Sequence, residues 1–211
     1  MSKRFLLVLV AIAVGLGAIF FFTKDKSTST SSGAQPSNHV KGGGTKNVTL
    51  VEYGDYQCPA CGAFYPILNQ VYDKYQNDIH FQFRNFPLTS IHPNAFVSAR
   101  AAEAADKQGK FWEMYSKLYE NQQAWSASNS PNSYFEQYAS DLGLDVNKFK
   151  QDLLSSEVNA LINADIKEAT KLGADSTPTF VLEGKKIDQN PRDLESFSKL
   201  IDEAITAKNQ Q

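Results

Sequence analysis

Two cysteines stand in this chain of 211 residues, and they are two residues apart, in Cys58-Pro59-Ala60-Cys61. A Cys-x-x-Cys between a short apolar run and a helical pattern supports one chemistry above others. The first sulfur becomes a thiolate at a helix start, and the second resolves whatever bond the first makes. Cys58 is the expected nucleophile and leaving group. Backbone N–H groups and the dipole of a helix starting near Pro59 stabilise its anion. Thiols so placed titrate at about 3.5–7.5. Cys61, one turn in, is the expected resolving thiol, more buried and with a higher pKa. Ala60 carries no charge or hydrogen-bonding side chain and does not itself acidify Cys58. Two bland readings compete. A disulfide across so short a loop is a weak staple. A metal site needs two further ligands, and the histidines available are His39, His80 and His92.

Elements must hold this pair, and the sequence sketches them. Residues 48–53 (VTLVEY) are apolar, β-branched and short, as in a buried strand. After Cys61, positions 64, 67, 68, 71, 72 and 75 are apolar, one face of a helix. Pro66 lies within it and should kink it. Residues 80–86 read as a second strand ended by Pro87. Helical patterns follow over 95–107, 111–119, 133–142, 146–154 and 158–172, with Gly143 and Gly173 at expected C-terminal caps. Residues 179–182 read as a third strand, and 186–187 begin a short fourth after a turn. Asn190-Pro191-Arg192-Asp193 reads as a last helix start, with Asn190 as N-cap and Pro191 in the first position. The order βαβ, helical block, ββα implies an α/β fold: a mixed sheet, helices on both faces and a right-handed first crossover.

Outside this domain, Lys3 and Arg4 precede residues 5–22, which carry no charge. As a helix these eighteen residues reach roughly 27 Å, close to a bilayer's hydrocarbon core. Residues 1–22 therefore read as an uncleaved signal-anchor. A cleaved secretory signal is the alternative, although Phe20-Phe21-Phe22 makes a poor cleavage site; a buried soluble helix is a third reading. Residues 23–46 are rich in Ser, Thr, Gly, Asn and Lys and read as a flexible linker spanning about 25–30 Å. The positive-inside bias is nearly balanced, and the short positive start favours the domain outside. Residues 47–211 suffice for one domain with a sizeable core. A formal charge of −2 gives no support for a nucleic-acid partner.

Glu52, the Cys58–Cys61 motif, Pro66 and Thr177-Pro178-Thr179-Phe180 together resemble the thioredoxin superfamily. The helical block, about 93–172, resembles the DsbA branch, and the anchored arrangement is similar to membrane-anchored DsbA-like proteins of the BdbD type. Phe83-Arg84-Asn85-Phe86-Pro87-Leu88 resembles a segment of that branch. The resemblance implies a thioredoxin fold with an inserted helical block. It implies a buried acid at Glu52 beneath the cysteines, which desolvation would turn into a proton shuttle. It also implies a cis bond at Thr177-Pro178, with the Thr177 backbone free to pair with an extended substrate. Tyr56 and Gln57 are expected to line the substrate groove. Arg84 reads either as a loop anchor or as a solvated strand residue, and Trp112 and Trp125 as core or lid residues.

The expected function is thiol–disulfide exchange outside the cytoplasm, forming disulfides in unfolded or reduced exported proteins. The expected place is a single-pass protein of the cell membrane, or a secreted or periplasmic one if the signal is cleaved. No metal or organic cofactor is required, and the resemblance suggests re-oxidation by a quinone-linked membrane partner. The rivals are a reductase or isomerase on the same fold, a redox-inert tethered binding or chaperone module, and a domain serving one dedicated membrane client.

Overall fold

The computed structural model describes residues 33–210. The expected anchor, residues 1–22, lies outside them, as does the first part of the expected linker. No helix among the described residues is long and apolar enough to cross a membrane.

Five strands form one mixed sheet. They are β1 (His39–Lys41), β2 (Val48–Gly54), β3 (Ile79–Asn85), β4 (Thr179–Leu182) and β5 (Lys185–Lys186), in the order β1-β3-β2-β4-β5. β2 and β3 are parallel and joined by α1 (Pro59–Tyr75); the other pairings are antiparallel. The period-2 alternation of β2 gives each face its own core. Val48 and Leu50 pack under α1 and α8 (Leu194–Lys208) with Leu68, Val71, Phe81, Phe180, Phe197 and Ile201. Val51 and Tyr53 face the other way, with Phe86, Val181 and Ala169. Glu52 follows Leu50 on the first face and stands in register between Phe83 and Phe180. A carboxyl thus takes a core position.

Between β3 and β4 lies the helical block: α2 (Ala95–Asp106), α3 (Phe111–Glu120), α4 (Gln122–Trp125), α5 (Pro131–Asp141), α6 (Val146–Leu153) and α7 (Ser156–Lys171). α2 packs against α3, α5, α6 and α7. Its alanines make that possible: Ala95, Ala99, Ala101, Ala102, Ala104 and Ala105 are buried, and short side chains let helices approach from several sides. Gly143 and Gly173 follow α5 and α7 with φ of +72° and +73°, the left-handed conformation that the expected caps require. Pro66 lies inside α1 without ending it.

Two expectations change. Part of the expected linker is built into the fold. Ser37 and His39 are buried, and residues 39–41 pair with β3. Ser37 donates through N and Oγ to Asp165, both at 2.7 Å, and His39 Nε2 bonds Glu103 Oε1 at 2.8 Å. A polar composition concealed a strand because its anchors are buried carboxylates rather than apolar side chains. The last helix starts at Leu194 rather than after Asn190. Asp193 is its N-cap, accepting from the Ser196 N–H at 2.8 Å, while Asn190 donates to the Pro178 carbonyl at 2.7 Å. Both residues have capping chemistry, and a tertiary contact claimed the first.

Candidate active site

Cys58 is the N-cap of α1, with extended backbone (φ −65°, ψ 121°), and Pro59 opens the helix. Pro suits that place because its missing N–H would be unsatisfied there anyway. Pro59 and Ala60 are exposed, Cys58 is 6% exposed and Cys61 is fully buried. Both thiols are free. Their environments drive them apart. Cys58 is lowered to about 5, chiefly by the Cys61 thiol donating to it, against burial; the Thr177 side chain and the N–H groups of Cys61 and Ala60 add to this. Burial pushes Cys61 well up, reinforced by Cys58 and by the charge of Glu52.

The loop before β4 closes the site from the other side. Thr177-Pro178 is a cis peptide, and both residues are buried. The Cys58 Sγ lies 3.4 Å from the Thr177 carbonyl, to which a thiol donates. The Thr177 hydroxyl is buried without a partner and stands ready to donate to a thiolate.

Beneath the cysteines, Glu52 is wholly buried. Burial raises it to about 8, although the Tyr115 hydroxyl donates to Oε2 at 3.2 Å and the charge of Lys41 opposes the rise. Its Oε1 has no partner, nor do the buried hydroxyls of Tyr56 and Tyr119. Lys41 reaches this region from the edge strand β1. Its Nζ sits over the rings of Tyr72 (4.0 Å), Trp112 (4.5 Å), Phe81 (5.3 Å) and Tyr115 (5.9 Å). Cation–π attraction holds the ammonium, while burial lowers it to about 8, against the charges of Glu52 and Asp73.

The structure places Cys58, Cys61, Glu52, Thr177 and Pro178 in one neighbourhood. Tyr56 does not line a groove. It is 1% exposed and packs on Phe83, Tyr115 and Tyr119, because an aromatic at this turn faces the aromatic stripe of α3. Gln57 borders a cleft between α1 and α4, yet its amide is engaged, donating to the Ser126 carbonyl and accepting from the Asn94 N–H. Trp125 is core, with its indole N–H on the Leu118 carbonyl. Arg84 is an anchor, pairing with Glu168 at 3.0 Å and Asp165 at 3.5 Å.

Sequence reasoning missed Asp55, Lys41 and Tyr115. Asp55 is buried and holds the turn before Cys58. Its carboxylate accepts from the N–H groups of Gln57 and Leu88 and meets His92 Nδ1 at 2.7 Å. An acid three residues before the first cysteine was a visible signal; its partners were not. His39, Glu103 and Asp106 have the composition of a metal site. The two carboxylates address opposite nitrogens of the ring, Glu103 at Nε2 (2.8 Å) and Asp106 at Nδ1 (3.5 Å). His39 is thus held between two carboxylates, hydrogen-bonded to Glu103 and ion-paired with Asp106. Burial alone would lower His39, but the hydrogen bonds to Asp106 and Glu103 outweigh it and raise it to about 9.

The fold defines a thioredoxin-type protein, with its two cysteines at the start of α1. A family model described as Thioredoxin matches residues 34–203, and the chain belongs to that family. Among curated relatives it is 35% identical over 167 residues to "Na(+)/H(+) antiporter NhaA 1" of Mycobacterium sp. strain KMS, covering 78% of this chain and 26% of that protein. It is 36% identical over 149 residues to the protein of that name from Salinispora arenicola strain CNS-205, covering 71% and 22%. The chain spans about a quarter of the length of the curated relatives it matches. Among solved structures, a thioredoxin-like oxidoreductase from Silicibacter pomeroyi DSS-3 superposes with a TM-score of 0.68 at 27% identity, covering 81% of this chain and 93% of that one. Oxidised BdbD from Bacillus subtilis gives 0.72 at 24% identity, covering 82% and 97%. The fold is DsbA-like, a thioredoxin sheet interrupted by a helical block.

Proposed function

We propose that this chain is a thiol–disulfide oxidoreductase that donates its disulfide to reduced or unfolded exported proteins. The observation that carries the reading is the pairing of an acidified, nearly buried Cys58 with a wholly buried Cys61 of raised pKa, under a cis-Pro loop. In the oxidised protein a substrate thiolate attacks Cys58 Sγ. The Cys58–Cys61 bond breaks, a substrate–Cys58 disulfide forms, and Cys61 leaves as a thiolate. Glu52, protonated up to about pH 8, is the group placed to supply a proton to Cys61. A second substrate thiolate then attacks the substrate sulfur of the mixed disulfide and Cys58 departs as its stabilised thiolate. Two electrons pass from the substrate dithiol to the protein. A good leaving group at Cys58 favours this direction. The Thr177 backbone, facing the sulfur, supports pairing with an extended substrate segment.

The site of action we propose is the outer side of the cell membrane, with residues 5–22 as anchor. The short positive start and the uncharged run support this. Re-oxidation then falls to a membrane oxidant, of which a quinone-linked partner is the simplest, and tethering raises its effective concentration. Equilibration with glutathione tests the direction: a reduction potential near about −120 mV supports oxidation of clients, and one well below about −200 mV supports a reductase. A Cys61→Ser variant should trap clients and oxidant as mixed disulfides on Cys58. Cys58→Ser should abolish dithiol oxidation; a wild type without that activity would leave a redox-inert binding role.

A further inference from the structure

The turn that presents Cys58 is held from outside the thioredoxin core. Gln122, the first residue of α4, lies 64 positions further along the chain. Its Nε2 donates to the Tyr56 carbonyl at 2.7 Å and to the Cys58 carbonyl at 2.9 Å, so both amide hydrogens are used. The Cys58 carbonyl also accepts the first α1 hydrogen bond, from the Gly62 N–H at 3.1 Å. Gly62 leaves room for the bridge: a Cβ there would come within 2.5 Å of Gln122 Oε1. We propose that Gln122 is a positioning residue for the redox pair, fixing the peptide groups on both sides of Gln57-Cys58 so that the α1 amides stay aimed at the Cys58 sulfur.

The proposal rests on reading the pair as a thiol–disulfide catalyst. The carbonyls of Tyr56 and Cys58 flank the turn that carries the sulfur, and their oxygens bear partial negative charge. An amide NH₂ bonded to both offsets that charge and prevents the turn from rotating. Without it, the two carbonyls lose their shared donor, and the N–H groups of Ala60 and Cys61 lose their fixed direction. The rest of the turn is held by other groups: Asp55 takes the Gln57 N–H, and Gln57 is bound between Ser126 and Asn94. Gln122 alone engages the Cys58 and Tyr56 carbonyls from a side chain among the described residues. An amide side chain on a backbone carbonyl is common as plain architecture, so the readout must follow the sulfur and not the fold.

The test uses the full-length protein and Gln122→Met, which keeps the length of the side chain and removes the donor. Thiolate absorbance at 240 nm gives the Cys58 midpoint, and glutathione gives the disulfide equilibrium. The expected result is a midpoint about one unit higher and a roughly tenfold gain in the disulfide, about 30 mV more reducing. The melting temperature of the oxidised form should hold. Gly62→Ala, which displaces the same side chain without deleting it, should move both readouts in the same direction. The proposal is overturned if both variants stay within twofold of wild type, or if their shifts only track a loss of melting temperature in the oxidised form. An ordinary thiol midpoint in the wild type would instead sink the catalytic reading itself.

Discussion

At Cys58 and Glu52 the fold spends stability in opposite senses, and each has its own pH window. The folded pKa of Glu52 is about 8, above the usual carboxylate value of 4.5. An acid raised in this way costs nothing below about pH 4.5 and destabilises increasingly as pH rises toward 8. Glu52→Gln should therefore gain little at pH 4 and roughly 2–4 kcal/mol at pH 9, measured by urea unfolding at both values. The same variant should slow the first exchange, in which Cys61 leaves and takes up a proton, by on the order of 10²-fold, since its amide relays no proton. Cys58 has the reverse sign. Its thiolate, lowered to about 5, stabilises the reduced form above the ordinary thiol range and loses that contribution as pH falls through 5. Thermal scans should show the reduced protein melting above the oxidised one at pH 7, and the difference should vanish near pH 4. Lys41→Met removes the cation nearest in influence to Glu52; the pH profile of Cys61 alkylation should move to higher pH, and an unmoved profile would deny Lys41 that role.

The elements were legible in proportion to how far local rules set them. β2, α1 and β4 could be read because apolar periodicity and a Pro-capped cysteine are local signals. β1 could not. Three residues in a Ser- and Gly-rich segment carry no periodicity, and what holds them is buried charge from α2 and α7. The Asn190 and Asp193 caps were exchanged for the same reason, a contact across the fold. His39 gives the edge strand a test. Its pKa is raised to about 9, so the contribution of its ion pairs is full below about pH 6.5 and lost as pH rises through 9. His39→Leu leaves Glu103 buried without its cation and should cost about 3–5 kcal/mol at pH 6, read by denaturant unfolding. Much of that difference should disappear by pH 10.

At the scale of the molecule, the sulfur chemistry belongs to no single segment. Cys58 and Cys61 come from α1, the facing hydroxyl and carbonyl from the loop before β4, the acid from β2, its cation from β1 and its phenol from α3. The motif announced the reactive atoms and the resemblance supplied Glu52 and Thr177, while Lys41 and Tyr115, 17 and 57 residues from Cys58 in the chain, left no local pattern. The most direct check is therefore made on the intact, reduced protein: the rate of iodoacetamide alkylation against pH, with the modified sulfur located by mass spectrometry. The account predicts modification at Cys58 with a midpoint near 5. A midpoint in the ordinary thiol range, about 8.5, would contradict it.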